Sequence, residues 1–177
     1  MQRVGNIYIG QPYEETVQIL GAPFKRETYS EIYFNYKQFG FNPEKILVFY
    51  LEFDYAIEYD QETNIGSDPI YKIFFKDNKV QYIIFSSYIY EGLIDIYEWN
   101  DVQIFSERKK LLKQFGEGYE YEDFSPKDYD GEYCYFEKGV SLISKKEIVR
   151  AVHIFPPMNK KQVNKYKRWK TIEIISQ

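Results

Sequence analysis

The sequence predicts an α+β protein: antiparallel sheet with a few short amphipathic helices. Three observations lead there. Apolar and polar residues alternate along several runs, the period of a strand with one face in and one face out. Helical periodicity is confined to short stretches, each closed by a glycine. Aromatic residues make up 20% of the chain, with 19 tyrosines and 14 phenylalanines, and tyrosine suits both strands and contact surfaces because it joins large area to a polar tip.

The first helix is expected in "GQPYEETVQILG". Pro12 fits the first helical position, Glu14 and Glu15 complement the dipole of the first turn, and Tyr13, Val17 and Leu20 form one apolar stripe. Gly21 caps the helix and Pro23 prevents its continuation. Strands are then expected in "EIYFNYKQF", where Ile32, Phe34 and Tyr36 alternate with Tyr33, Asn35 and Lys37. Another is expected in "KILVFYLEFDYAIEY", with Leu47, Phe49, Leu51, Phe53 and Tyr55 on one face and Val48, Tyr50, Glu52 and Asp54 on the other. "PIYKIFFKDNKVQYIIFSS" reads as a hairpin turning at Asp77-Asn78. A second helix follows in "FSERKKLLKQFG", capped by Ser106, striped by Leu111, Leu112 and Phe115, and ended by Gly116. "EYCYFEKGVSLISKKEIVRAVHIFPP" reads as a three-stranded meander. In its last strand Ile148, Val152 and Ile154 compete with Val149, Ala151 and Phe155 for the buried face.

A chain of 177 residues, 44% hydrophobic and 28% charged, has enough apolar content for a packed core and is not globally disordered. The single cysteine, Cys134, excludes an internal disulfide framework and agrees with a reducing compartment. "MQRVGNIYIGQPYEE" has no apolar signal-peptide region, so a cytoplasmic location is expected, or a periplasmic one if a leader has been removed. No run approaches the roughly 18 apolar residues of a membrane helix.

The two halves of the chain look alike: a short helix, a glycine, a loop, then an antiparallel meander. The helix ends are "ILGAPF" and "QFGEGY", and the later strands are "FKDNKVQYIIFSS" and "SKKEIVRAVHIFPP". This order, with "IGQPYEETVQILGAP" from Ile9 to Pro23 as its opening, resembles the tandem repeats of β-lactamase-inhibitor-protein-like domains and the related single-repeat SmpA/OmlA (BamE-like) lipoprotein domains. The second repeat departs, since "SERKKLLKQFGEG" lacks the first glycine and the proline. The resemblance implies helices packed on one face of a sheet whose other, aromatic face binds a partner protein. It divides the chain into a first repeat over 1–95, a second over 96–157 and a basic C-terminal segment over 158–177. The lipoprotein relatives imply an alternative role as a cell-envelope assembly or structural module.

The chemical candidates are few. Cys134 and His153, the one histidine, fall on strands of one meander, where contact as a nucleophilic pair is sterically allowed but no orienting third residue is visible. One histidine and one cysteine do not make a zinc site. "DYDGEY" lacks the spacing of a calcium loop. No carboxylate pair is singled out for glycoside hydrolysis, and "GEGYEYE" lacks the strand and third glycine of a dinucleotide fingerprint. No cofactor, metal or catalytic residue is therefore assigned, and the protein is expected not to be an enzyme.

Charge is more informative. The net charge is −4, but it is unevenly spread. "NKKQVNKYKRWK" holds Lys160, Lys161, Lys165, Lys167, Arg168 and Lys170 and no acid, interleaved with Tyr166 and Trp169. The mixture suits single-stranded nucleic acid, yet the overall acidity repels phosphate, and a plainer reading is a solvated terminal helix or strand packed by Val163, Tyr166 and Trp169, or an intramolecular mate for the acidic face. "FGEGYEYEDFSPKDYDGEY" is the opposite, with Glu117, Glu120, Glu122, Asp123, Asp128, Asp130 and Glu132 around Lys127 alone. Such carboxylates steer a basic partner, and aromatic residues anchor interfaces. The expected partner-binding set is Tyr119, Glu120, Tyr121, Glu122, Asp123, Phe124, Asp128, Tyr129 and Asp130, with Tyr33, Tyr50 and Glu52 from the sheet face. The expected function is an immunity- or inhibitor-type binding module for a basic protein. Tyrosine-rich edges also allow pairing into a homodimer.

Overall fold

The computed structural model describes residues 3–4, 6–59, 71–86, 98–99, 102–103, 113, 116, 119–121, 131–145 and 148–171. In chain order the elements are β1 (Arg3–Val4), β2 (Ile7–Tyr8), α1 (Tyr13–Leu20), β3 (Lys25–Thr28), α2 (Tyr29–Gln38), a single 3₁₀ turn (Pro43–Lys45) and α3 (Leu47–Tyr50). Then come β4 (Tyr55–Tyr59), β5 (Tyr71–Lys76), β6 (Lys79–Ser86), β7 (Glu98–Trp99), β8 (Val102–Gln103) and β9 (Tyr119–Tyr121). β10 (Gly131–Tyr135), β11 (Val140–Lys145), β12 (Ile148–Ile154) and α4 (Lys160–Thr171) complete the set. The class is α+β. Eight strands form one antiparallel sheet in the order β3-β4-β5-β6-β12-β11-β10-β9. Two meanders thus run toward each other and meet at their last strands.

The first helix forms where expected, with Pro12 as its N-cap rather than its first helical residue. Gly21 closes it at φ 84°, its N–H donating to the Val17 carbonyl. The hairpin turn also forms as expected. Asp77 and Asn78 both take positive φ, 50° and 58°, the conformation that matches the twist of the flanking strands. Asp54 secures it from the neighbouring strand, accepting from the Asp77 N–H and from Lys76 Nζ, each at 2.8 Å. Of the helix expected over residues 106–115, only Lys113 is described, in helical conformation.

Two expected strands are corrected. "EIYFNYKQF" lies in α2. Thr28 and Glu31 form a reciprocal capping box that satisfies free N–H groups of the first turn. The 3.6-residue period then buries Ile32 and turns Phe34 outward. The run expected as a strand from Lys45 to Tyr59 breaks into the 3₁₀ turn, α3 and β4, separated by Glu52 at φ 61°. The alternation of Leu47, Phe49, Leu51 and Phe53 is therefore not a sheet pattern.

Helices cover both faces of the sheet, not one. Tyr13, Val17 and Leu20 of α1 pack with Val4 and Ile7 against Ile57, Ile73, Phe75, Ile83, Phe85, Leu142, Val152 and Ile154. The opposite face, with Ala56, Phe74, Tyr82, Cys134 and Phe155, takes Ile32 of α2, Leu47, Val48 and Phe49 around α3, and Val163 and Tyr166 of α4. The competition within "EIVRAVHIF" therefore has no single winner: Val149, Ala151, Val152, Ile154 and Phe155 are all buried. Of the two forms open to the basic C-terminal segment, helix or strand, residues Lys160–Thr171 take the helix, with Val163 and Tyr166 buried. Two extra helices, α2 and α3, stand between β3 and β4, where the expected repeat has none.

One turn depends on a glycine. Gly139 follows a 3₁₀ turn at φ 65°, and a Cβ there would meet the Phe155 carbonyl oxygen at 2.2 Å. Gly139→Ala is expected to lower unfolding free energy by at least about 1–2 kcal/mol, the left-handed backbone cost alone, with the clash adding to it. A urea unfolding curve against the parent checks this.

Candidate functional site

A row of polar side chains crosses the face that carries α2, α3 and α4. Direct cross-strand pairing sets Lys25 against Glu58, Glu58 against Lys72, Lys72 against Ile84, Ile84 against His153, His153 against Ser141, and Ser141 against Cys134. Residues paired directly across an antiparallel sheet share a face. Ile84 divides the row into two clusters.

The first cluster centres on Glu27, a buried carboxylate on the outermost strand of the first meander. Lys25 reaches it at 2.7 Å, Lys72 at 2.9 Å, and Asn35 of α2 donates to it at 2.9 Å. Lys72 also bonds Glu58. Burial pushes the Glu27 carboxyl up, but the bonds from Lys25 and Lys72 outweigh it and hold it at about 2. Burial works against the Lys72 charge, yet Glu58 and Glu27 raise its pKa, so the ammonium stays protonated.

The second cluster joins four strands. Tyr82 Oη and His153 Nδ1 share a hydrogen bond of 2.8 Å. Ser141 Oγ donates to Glu132 Oε1 at 2.6 Å, and that oxygen lies 4.0 Å from His153 Nδ1. Burial lowers the His153 pKa, opposed by the Glu132 carboxylate, so the ring is neutral at pH 7. Burial also raises the Tyr82 hydroxyl well above its ordinary value, as it raises that of Tyr36 on α2, which feels carboxylates of both clusters.

This geometry bears on nucleophilic chemistry. Cys134 and His153 occupy strands of one meander, but β11 runs between them with Ser141 at the intervening position, so they stand about 10 Å apart by strand spacing. No hydrogen bond joins them. Ser141 is fully buried and gives its proton to a carboxylate rather than to an imidazole, unlike a serine activated by histidine. Among the described residues, no group of three or more His, Cys, Asp or Glu is placed to hold a metal ion. The arrangement suits another task. A polar row that must stay mutually bonded fixes strand register, because a one-residue slip sends every member to the other face.

The expected partner-binding residues scatter. Tyr119, Glu120 and Tyr121 form β9, the last strand of the sheet, with Tyr121 opposite Glu132, Glu120 opposite Tyr133 and Tyr119 opposite Cys134. Glu122, Asp123, Phe124, Asp128, Tyr129 and Asp130 lie outside the described residues. Tyr33, Tyr50 and Glu52 are not on a sheet face. Tyr33 sits on α2 stacked with Tyr29, Tyr50 ends α3 against the Tyr166 ring at 5.0 Å, and Glu52 is exposed in the turn that follows.

Sequence reasoning missed a set of exposed apolar side chains. Ile19 of α1, Phe24 before β3, Tyr29 and Phe34 of α2, and Phe39 at the C-cap of α2 are exposed large hydrophobic residues, with α1 and α2 on opposite faces of the sheet. The signal was available in "TYSE", a capping-box pattern ahead of apolar residues. Comparison with known proteins supplies no family: no family model matches the chain, and no curated protein or solved structure matches it either.

The two clusters contribute to the acid limb of stability, as do the lowered carboxyls of Asp54 and Glu31. The unfolded His153 titrates near 6.5 and the folded one lower, so the unfolded chain binds the proton first and stability falls as pH drops below about 6.5. Glu27 contributes stability that is present above about 4.5 and is lost as pH falls toward 2. Urea midpoints measured from about pH 8 down to about pH 3, which covers the onset of both titrations, are expected to fall in these two stages. His153→Gln removes the upper stage and Glu27→Gln flattens the lower one.

Proposed function

We propose that the protein is a non-catalytic binding module of immunity or inhibitor type, taking a basic protein partner at the β9 end of its sheet. One observation carries this reading: Tyr119–Tyr121 of the acidic, tyrosine-rich segment form the outermost strand, beyond which no further strand pairs among the described residues. Glu120 stands on this outermost strand, and its neighbours in sequence are acidic. Glu117, Glu120, Glu122, Asp123, Asp128 and Asp130 then raise the encounter rate of a basic surface. Tyr119, Tyr121, Phe124 and Tyr129 supply rings of the kind that dominate binding energy. With helices over both faces, the reading moves from a sheet face to a sheet end. The likeness of Ile9–Pro23 to the opening of inhibitor-type repeats supports the same class of function.

Tagged protein incubated with its native lysate at low and high salt tests this. A basic protein retained at low salt and released at high salt is expected. A variant carrying Glu120→Lys, Glu122→Lys and Asp123→Lys is expected to retain at least about tenfold less of it. Equal capture by parent and variant, or capture of nothing, overturns the reading.

A further inference from the structure

α4 carries Lys160, Lys161, Lys165, Lys167, Arg168 and Lys170 and no carboxylate. Its Val163 and Tyr166 are buried against the sheet. At 100° per residue, Lys161 lies about 170° from their mean direction, with Asn164 and Lys165 about 60° and 40° to either side of it. Lys160, Lys161, Asn164 and Lys165 are all exposed. Among the described residues no ion pair joins Lys160, Lys161 or Lys165 to a carboxylate. Glu44 and Glu137, on the two 3₁₀ turns that α4 abuts, do not pair with them.

Within the fold this arrangement is unfavourable. Asn159 and Gln162 form a reciprocal cap, so Lys160 and Lys161 occupy the first two helical positions, where the helix dipole disfavours cations. Lys161 and Lys165 are a like-charge pair at i and i+4, about 6 Å apart along the axis. An acid in the first turn would stabilise the helix. A local rule broken with no compensating contact is expected where a surface serves a second purpose, and the partner that would relieve these charges is an anion.

The kind of anion follows from what the face lacks. Protein interfaces bury an apolar core and are depleted in lysine. Single strands stack on rings, and a helix that lies on a membrane inserts apolar side chains. Lys160, Lys161, Asn164 and Lys165 include no aromatic or aliphatic residue. The phosphates of a duplex require only cations and polar donors, and the major groove is wide enough to admit an α-helix. The acidity of the chain is concentrated elsewhere in sequence. Seven of the 27 acidic residues but one of the 23 basic ones lie in Phe115–Tyr133, so the rest of the chain is net positive.

We propose that the outer face of α4 binds the phosphate backbone of a nucleic-acid duplex, without regard to its sequence. This inference does not rest on the acidic segment: duplex binding depends on Lys161, capture of a basic protein on Glu120, and the two are lost in different variants.

Fluorescence anisotropy of the full chain with a labelled mixed-sequence duplex tests it. Three lysine contacts give a salt slope of about −2.7, so affinity is expected to fall about 40-fold between about 50 and 200 mM salt. Lys161→Glu weakens binding about tenfold and brings the slope to about −1.8. Its thermal midpoint equals or exceeds that of the parent, because the substitution complements the dipole and pairs with Lys165. Lys79→Glu makes the same charge change on the exposed hairpin and leaves binding within about twofold of the parent. No binding at the lower salt overturns the proposal, as does an equal loss in Lys79→Glu and Lys161→Glu. A single strand of the same length, or vesicles of anionic lipid, bound as tightly as the duplex also overturns it.

Discussion

The fold depends on the pairing of β6 with β12. Each meander is a small sheet with two apolar faces, and neither can bury both alone. The seam sets Ile83 against Ile154, Ile84 against His153, Phe85 against Val152 and Ser86 against Ala151. It links parts of the chain some seventy residues apart in sequence, a separation with a slow, entropically costly closure. Once closed, it places the apolar rows of the two meanders side by side on each face. α1 can then span one continuous surface, while α2, α3 and α4 share the other. Remove the seam and Tyr82 loses both His153 and the stacked ring of Phe155.

The same burial explains what the sequence concealed. Central strands covered on both faces lose their alternation, and "VQYIIF" and "IVRAVHIF" show this: neither register of the second could be preferred because both are buried. The α+β class, α1, the Asp77-Asn78 turn and the later meander were legible, because each carries local chemistry such as a proline, a glycine or a positive-φ pair. Helix α2 was not legible from hydrophobicity. Ile32, Phe34 and Tyr36 fit a period of two, while Tyr29, Ile32, Tyr33 and Tyr36 fit a helix equally well. The tie is broken by Thr28 and Glu31, whose capping box acts before any core exists. The polar row was illegible for a different reason. Lys25, Glu58, Lys72, His153 and Ser141 come from five strands, and only the register brings them together.

Buried ion pairs such as Lys72 with Glu27 and Glu58 are poor evidence of stability, because desolvation offsets much of the attraction. Their consequence is specificity. Lys72 is satisfied only when β3, β4 and β5 are paired in one register, and Ser141, Glu132, His153 and Tyr82 bond together only when β10, β11, β12 and β6 are. Apolar rows tolerate a slip of two residues, since one isoleucine fits much like another. A carboxylate moved by two residues loses its partners. The polar row therefore supplies register information that the isoleucine and valine rows lack.

Register fixed in this way also determines what each end of the sheet displays. At the β3 end the charges are turned onto their own strands: Glu27 inward, Lys25 upon it, Arg26 over Tyr55. The strand edge is poorly suited to extension there, and the accessible apolar groups are side chains of α2 and its neighbours. At the β9 end the last strand is three residues long, and acidic residues follow it in sequence. The two ends of the sheet therefore differ in what they leave unbonded: at the β3 end the charges are tied to their own strands, and the exposed groups nearby are rings.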